Sequence, residues 1–395
     1  MANYILPLIA AVALTPFTQA EYCHRLYPPR SHLLRHKKQL IQPSCILQPK
    51  TSDQVSLAIK TLTTASRLKP CPFAVRSAGH TPYAGASNIQ DGVTIDLKYL
   101  SDVVYDTASR VVSIGPAANW GDVFKTLEPY GIMTTGGRAS SVGVGGLVLG
   151  GGISYFSPEH GLVCDNVVEF EVVLSDGSVV TASKTVNADL FTVLRGGNNN
   201  FGIVTNIKMS TFPYQGLWGG LVLYPGRRNR IYFGTLTFAN DIRVMMKAHE
   251  IYLDVLSGLK AKATGDWAIY TLFQPLPPAY WKDSAAKGGN VLGLERFGEQ
   301  VLCLYQPYLM WEGAVQDDLF QAAGAELVKR IREYAESVDG ANPYLYLNYA
   351  DITQDPLASY GAEAVERMRA AAKKYDPSSV FQTLVPGGFK ISHVQ

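Results

Sequence analysis

The chain has 395 residues, 47% hydrophobic and 17% charged, which is enough apolar sequence to bury a sizeable core and too much for a disordered chain. Its formal net charge is +2 and its Lys and Arg residues are dispersed, so nothing in the charge pattern asks for nucleic acid or an anionic membrane surface as a partner.

The first segment, MANYILPLIAAVALTPFTQA, has an apolar run from Ile5 to Leu14, followed by small and polar residues with Thr18 and Ala20 spaced like a cleavage site. Residues 1–20 read as a secretory leader and 21–44 as a basic surface arm, which predicts secretion or an endomembrane lumen. No later segment supplies the roughly 20 apolar residues of a membrane span. The five cysteines are an odd count. One bridge among Cys23, Cys45 and Cys71, with Cys45–Cys71 foremost, suits an oxidising compartment, and a set of buried thiols is the alternative.

From Cys45 the pattern becomes regular. CILQP reads as a strand, and TSDQVSLAIKTLTTASRL as a helix started by Thr51 or Ser52 with Val55, Ile59 and Leu62 on one face. PFAVRS then completes a β-α-β unit. GVTIDL, VVSIGP, EFEVVLSDGSVVTA and GIVTNIKMSTFP follow as Val-, Ile- and Thr-rich strands, the third broken into a hairpin at Asp176-Gly177. Helical patterns fall at 119–130 and 188–195. Residues 45–212 form a first domain on this reading. Residues 213–342 form a second, richer in aromatics, with Pro-bounded segments such as QPLPPAYW and amphipathic helices near 240–256 and 315–337. Residues 343–395 return to the first domain through a strand-like PYLYLNYAD and a helix from Ala362 to Tyr375, stopped at Asp376-Pro377. The fold class is α+β.

Two stretches carry chemistry. RSAGHTPYAG pares side chains away at Ser77, Ala78 and Gly79 before presenting His80; taken alone, a histidine there is more often structural than catalytic. GGRASSVGVGGLVLGGGIS, Gly136 to Ser154, is too rich in glycine for an ordinary helix or strand. Such a run suits main-chain contact with a phosphate or a flat ring, a glycine-rich hairpin being the structural alternative. The dinucleotide and P-loop glycine patterns are both missing, as is G-x-S-x-G. No C-x-x-C occurs, and His32 and His36 have no nearby carboxylates, so no metal site is expected.

These stretches, together with CILQPKTSDQVSLAIKTL, VSIGPAANWGDVFKTL, SYFSPEHGLVCDNV, DLFTVLRGGNNNFGIVT, YLNYAD and KKYDPSSVF, resemble the FAD-linked oxidases with a vanillyl-alcohol-oxidase-type FAD-binding domain, in the berberine-bridge-enzyme-like branch and its fungal members. The resemblance covers most of 45–212 and 343–381. It implies a two-part FAD domain completed by the C-terminal segment, with a substrate domain over the flavin. It also implies that the turn from Arg76 through Ser77, Ala78 and Gly79 approaches the diphosphate and that His80 bonds covalently to the flavin. A second tether through Cys is not expected, because Ala139 stands at that position.

By the same resemblance Ser141, Val142, Gly143, Gly145 and Gly146 line the pyrophosphate and the ring edge. Gly151 and Asp165 support the loop, Ile203 and Val204 meet the adenosine end, and Asn348 steadies the pyrimidine edge. Tyr349 matches the phenol used by some relatives as base, a role that needs a neighbouring cation. Tyr346 is the second choice and is expected on the opposite face of a strand. Both tyrosines also read as plain core aromatics. His160 replaces a common Tyr and is expected at the floor of the site.

The implied activity is hydride removal from an alcohol, amine or activated C–H of a small secondary metabolite, with O2 as acceptor. The alternatives are a dehydrogenase with another acceptor, a non-redox flavin-binding cyclase, or an inactive relative with a shortened substrate domain.

Overall fold

The computed structural model describes residues 41–66, 70–81, 83–214, 216 and 230–395. Residues 1–40, which hold the segments read as a leader and most of a basic arm together with Cys23 and the His32–His36 pair, lie outside the described residues.

The first sheet holds β1 (Cys45–Leu47), β2 (Phe73–Arg76) and β3 (Val93–Asp96), all parallel, in the order β1-β3-β2. The crossover is α1 (Ser52–Ser66), capped at Thr51, whose Oγ1 accepts from the Gln54 N–H at 3.3 Å. Val55, Ile59 and Leu62 fall three and four residues apart and bury one face of α1 against Phe73 and Ile95. Each such side chain contributes about 1.5–3 kcal/mol when fully buried. The β-α-β unit is therefore present with β3 inserted between its strands. That insertion also separates the two cysteines: Cys45 pairs with one side of Val93, and Phe73, two residues past Cys71, with the other. Strands flanking a third lie about 9.6 Å apart, beyond the reach of a bridge, and none joins Cys45 to Cys71.

The second sheet is antiparallel. It comprises β4 (Val103–Asp106), β5 (Val111–Ile114), β7 (Val167–Val173), β8 (Val179–Ser183) and β9 (Ile203–Ser210), in the order β4-β5-β9-β7-β8. A short pair, β6 (Ile132–Met133) with β10 (Phe212–Pro213), lies apart from it. The Asp176-Gly177 turn joins β7 to β8, with Gly177 at φ 77° and Asp176 Oδ1 accepting from Ser178 N at 2.7 Å. Packed with this sheet are α2 (Trp120–Leu127), α3 (Val144–Leu149), α4 (Ser157–His160) and α5 (Ala188–Leu194). The glycine run thus contains a helix, α3, against expectation. Its Val144 and Val148 are both fully buried, and that burial offsets the low helix propensity of Gly145 and Gly146.

The third sheet is built on β14 (Leu302–Trp311). Along one edge run β11 (Arg230–Phe233) and β12 (Leu236–Ala239); along the other runs β13 (Trp267–Leu276), and β15 (Ala341–Asn342) pairs with β12. Period-two alternation divides its faces. Phe238, Cys303, Tyr305, Leu309 and Trp311 pack under α6 (Ile242–Lys262) and α7 (Asp317–Ser337), while Phe233, Gln306 and Tyr308 look the other way. The chain closes with α8 (Ala362–Tyr375) and α9 (Val380–Thr383), which join the cores under the second and first sheets.

Two segments depart from the sequence reading. Residues 277–298, inside the stretch read as the second domain, send Trp281, Leu292 and Leu294 into the core beneath the second sheet. Leu292 fills the space left by Gly151 and Gly196, where any Cβ would meet it. PYLYLNYAD is also not a strand. Pro343 has no N–H to give a ladder, Tyr344 to Leu347 are buried without an alternating exposed face, and Leu347–Tyr349 form a 3-10 turn.

Candidate active site

The chain turns sharply after β2 because the residues there have little or no side chain. Gly79 adopts φ 71°, which disfavours any residue with a Cβ, and Ser77 Oγ donates to the Pro116 carbonyl. Across from this turn the backbone enters α3 at Gly143. A Cβ on Gly143 would run into the Ala78 methyl, and one on Gly145 would come to 3.0 Å from Ser77 Oγ and Pro116 O. The two small-residue segments therefore pack main chain to main chain. The Ala78 methyl is accommodated by the missing side chain of Gly143. Gly146 has no atom within 4 Å of its Cβ position and faces open space.

That space is a cleft of about 470 Å³. It runs between the 77–81 turn and α3 on one side, the 198–204 loop and the 385–389 tail on another, and the free face of the third sheet above. His80 lines it and is exposed. Ser77, Ala78, Gly79, Val142, Gly143, Gly145 and Gly146 line it too, as do Ile203, Val204 and Asn348.

Other expected residues lie outside the lining, Gly151 and Asp165 among them as supports rather than as wall. Arg76 is held outside the lining by an ion pair with Asp96 at 2.9 Å. Ser141 is exposed and outside the lining as well. Gly151, at φ 98°, faces Leu292. Asp165 is buried beneath the site, accepting from Ser284 Oγ at 2.5 Å and Asn290 Nδ2 at 2.8 Å. His160 is not at the floor: its ring stacks on Phe212 with centroids 3.7 Å apart, and burial pulls its imidazole below the usual value.

Tyr346 and Tyr349 both line the cleft, on the same side. Three residues span one 3-10 turn, so i and i+3 eclipse where a strand would have opposed them. Asn348 Nδ2 donates to Tyr346 Oη at 3.0 Å, Leu147 O at 3.2 Å and Gly150 O at 3.3 Å, which fixes the turn to the end of α3. Burial raises both phenols above their ordinary value. The Arg138 guanidinium opposes that effect at Tyr349, to whose hydroxyl it donates, and its other arm donates to Gln274 Oε1 at 2.7 Å on β13. No Asp, Glu or Lys is among the described residues lining the cleft, and Arg138 is the one arginine among them.

Arg138 was not singled out from sequence, although it is the one charged residue between Gly136 and Ser154. Asn198 and Asn199 also line the cleft and were also passed over; their signal is three consecutive asparagines, the first at φ 58°. Gln306 and Tyr308 carry no motif and become visible only once β14 is paired.

The family model for an FAD binding domain matches residues 43–183. The FAD-dependent monooxygenase drtC of Aspergillus calidoustus is 35% identical over 440 aligned positions, covering 90% of this chain and 84% of that protein. The FAD-dependent monooxygenase sdcF of Emericella nidulans is 34% identical, covering 89% of this chain and 91% of the relative. An alignment of 440 positions exceeds the 395 residues of this chain, so the relative carries stretches that are absent here. Among solved structures, a xylooligosaccharide oxidase from Myceliophthora thermophila superposes with a TM-score of 0.68 at 18% identity, covering 94% of this chain and 99% of the other. A berberine-bridge-enzyme-like protein from Physcomitrella patens superposes at 0.65 and 17% identity, covering 93% and 98%.

The cleft fits that cofactor on its own chemistry. Bare main chain at Gly143 to Gly146 suits a diphosphate, and an apolar wall with a few amides suits a flat ring. With fold, sequence and cleft in agreement, the chain belongs to the FAD-dependent oxidoreductases that carry this FAD binding domain, and its cofactor is FAD.

Proposed function

We propose that this FAD-dependent enzyme is an oxidase that takes a hydride from an alcohol, amine or activated C–H carbon of a small secondary metabolite, with O2 as the electron acceptor. Bound FAD supplies the electron sink for that oxidation. The chain itself must hold the cofactor, orient the substrate and move a proton. The 77–80 turn and the Gly143–Gly146 main chain hold the diphosphate, Ile203 and Val204 the adenosine end, and Asn348 the pyrimidine edge. His80 tethers the ring covalently, as the only tether.

The observation that carries the reading is the Arg138–Tyr349 pair on the cleft wall. Hydride loss from an alcohol or amine requires the O–H or N–H proton to leave as well, and Tyr349 takes it. A phenol is a poor base until a cation stabilises its anion, and Arg138 is that cation. Gln306 and Tyr308, across the cleft, orient the substrate by hydrogen bonds.

A second reading, incorporation of one oxygen atom into the product, is favoured by the activity for which the two relatives at 35% and 34% identity are named. One experiment separates the two. A panel of polyketide, alkaloid and terpenoid alcohols is added anaerobically, and any substrate that bleaches the flavin absorbance is then turned over under labelled O2. Hydrogen peroxide equimolar with product and no label in the product supports the oxidase; label in the product supports oxygenation. If nothing bleaches the flavin, the panel is repeated under labelled O2 with a reduced nicotinamide as electron donor; label in a product then supports oxygenation, and its absence leaves the non-redox alternative.

A further inference from the structure

Behind the Asn199 wall of the cleft sits Lys390, on the C-terminal tail and only 3% exposed. Its Nζ donates to Asn199 Oδ1 at 3.1 Å and to Asn199 O at 3.3 Å. It forms no ion pair among the described residues. The two residues before it, Gly388 and Phe389, line the cleft together with Asn199.

Few charged groups face it. The 196–202 loop, GGNNNFG, brings no ionisable side chain. The junction of α8 and α9 brings Asp376, whose two oxygens already accept from the Val380 and Phe381 N–H groups at 2.8 Å. The tail brings His393, and α8 brings Arg369, which donates to Val394 O at 2.8 Å. Burial pushes the Lys390 amine down to about 7, Asp376 acting through space in the opposite sense.

A buried amine held by amide oxygens alone is poorly placed to keep a charge. FAD would change that balance, because its diphosphate would bring two negative charges into the cleft that Asn199, Gly388 and Phe389 help to line. We propose that Lys390 is the counter-charge for the cofactor, an amine that takes up a proton from solvent when the diphosphate enters the cleft. The proton passes from water or buffer to Nζ, and the C-terminal tail is thereby coupled to cofactor occupancy. The inference rests on FAD binding in this cleft; it needs neither the His80 tether nor the oxidase reading.

The sign follows from linkage. A group protonated more fully in the bound form makes binding strongest at low pH, and affinity falls as pH rises above the free amine's value. The fall is at most about tenfold per pH unit for one proton.

The test uses flavin-free full-length His80→Ala protein, which removes any tether and the imidazole's own titration. FAD is titrated calorimetrically at pH 8 in two buffers of different ionisation enthalpy, and its affinity is measured by fluorescence quenching from pH 6 to 9. Uptake close to one proton at pH 8, with affinity falling between pH 7 and 9, is expected. In His80→Ala with Lys390→Met, uptake should vanish and the affinity profile flatten at a weaker value. FAD binding that is tight, pH-independent and proton-neutral in the lysine-bearing protein overturns the proposal, and that result stands even if the Lys390→Met chain fails to fold. Equal uptake in both proteins overturns it too.

Discussion

The rings of Tyr346 and Tyr349 meet edge to face, with centroids 4.8 Å apart and planes at 83°. Both therefore stand on the cleft, and what distinguishes them is Arg138, which donates to Tyr349, whereas Tyr346 accepts from the Asn348 amide. Tyr349→Phe is expected to slow flavin reduction by substrate at least tenfold, about 1.4 kcal/mol of barrier. Tyr346→Phe should slow it less. Stopped-flow reduction under anaerobic conditions gives both rates, and an unchanged Tyr349→Phe rate would remove this phenol from the mechanism.

The same pair sets a pH dependence. Burial holds the Tyr349 phenol above its ordinary value of 10, against the pull of Arg138. A base must be deprotonated to work, so the reduction rate should climb with pH and still be rising at pH 10. Arg138→Met removes the opposing pull, which shifts the rise to still higher pH and lowers the neutral rate. A wild-type profile already flat between pH 7 and 10 would show that Tyr349 does not serve as base.

His80 can be tested without any substrate. Acid-precipitated wild-type protein should stay yellow and fluoresce on a denaturing gel, whereas His80→Ala should release all of its colour into the supernatant. Because Ala139 offers no thiol, a residual bound flavin in His80→Ala would point to a second, unforeseen attachment.

Much of this architecture could be read from the chain because local signals and tertiary packing agreed. The α8 limits, Ala362 to Tyr375, follow from an amphipathic stretch ended by Asp376-Pro377, and the β7–β8 hairpin from Asp176-Gly177. Where they disagreed, packing prevailed. The alternation in YLYLNY suggests a strand, but every residue from Tyr344 to Leu347 is buried, so the period-two pattern had no solvent face to report. Arg138 and Gln306 come together only through the pairing of distant segments, which no local pattern encodes. Asp165 was recognised from sequence, but whether it faces the cofactor or the core depends on residues 284–290, more than a hundred positions away.

Two neighbouring glycines should respond in opposite ways to the same methyl. On Gly150, at φ −99°, the backbone tolerates alanine, but the new Cβ would fall on the Asn348 carboxamide. Gly150→Ala should cost about 1–3 kcal/mol of stability through overpacking and displace Asn348. Gly146→Ala has open space for its methyl, so stability should stay within about 0.5 kcal/mol while the methyl intrudes on the cofactor. Denaturant unfolding and the flavin-to-protein absorbance ratio separate the two outcomes. Equal loss of stability in both variants would mean that the Gly146 side of the cleft is closed.

The strongest stability effect is expected far from the flavin, at Asp165. Arg195 is fully buried and donates to the carbonyls of Lys287 and Gly289, and its guanidinium lies 3.9 Å from Asp165 Oδ1. The carboxylate is the charge that balances this cation, and through Ser284 and Asn290 it also binds residues 277–298 to the core under the second sheet. Asp165→Leu leaves the guanidinium buried without an anion, a change that typically destabilises by about 3–5 kcal/mol. Removing both charges, Asp165→Leu with Arg195→Met, should recover part of that loss, because an uncompensated ion is worse than none. Asp165→Asn keeps the shape and loses only the charge, so its effect should fall between these two. Chemical denaturation of the four proteins gives the ordering; a double variant less stable than Asp165→Leu would show that Arg195 stabilises the fold through its carbonyl contacts rather than through the ion pair.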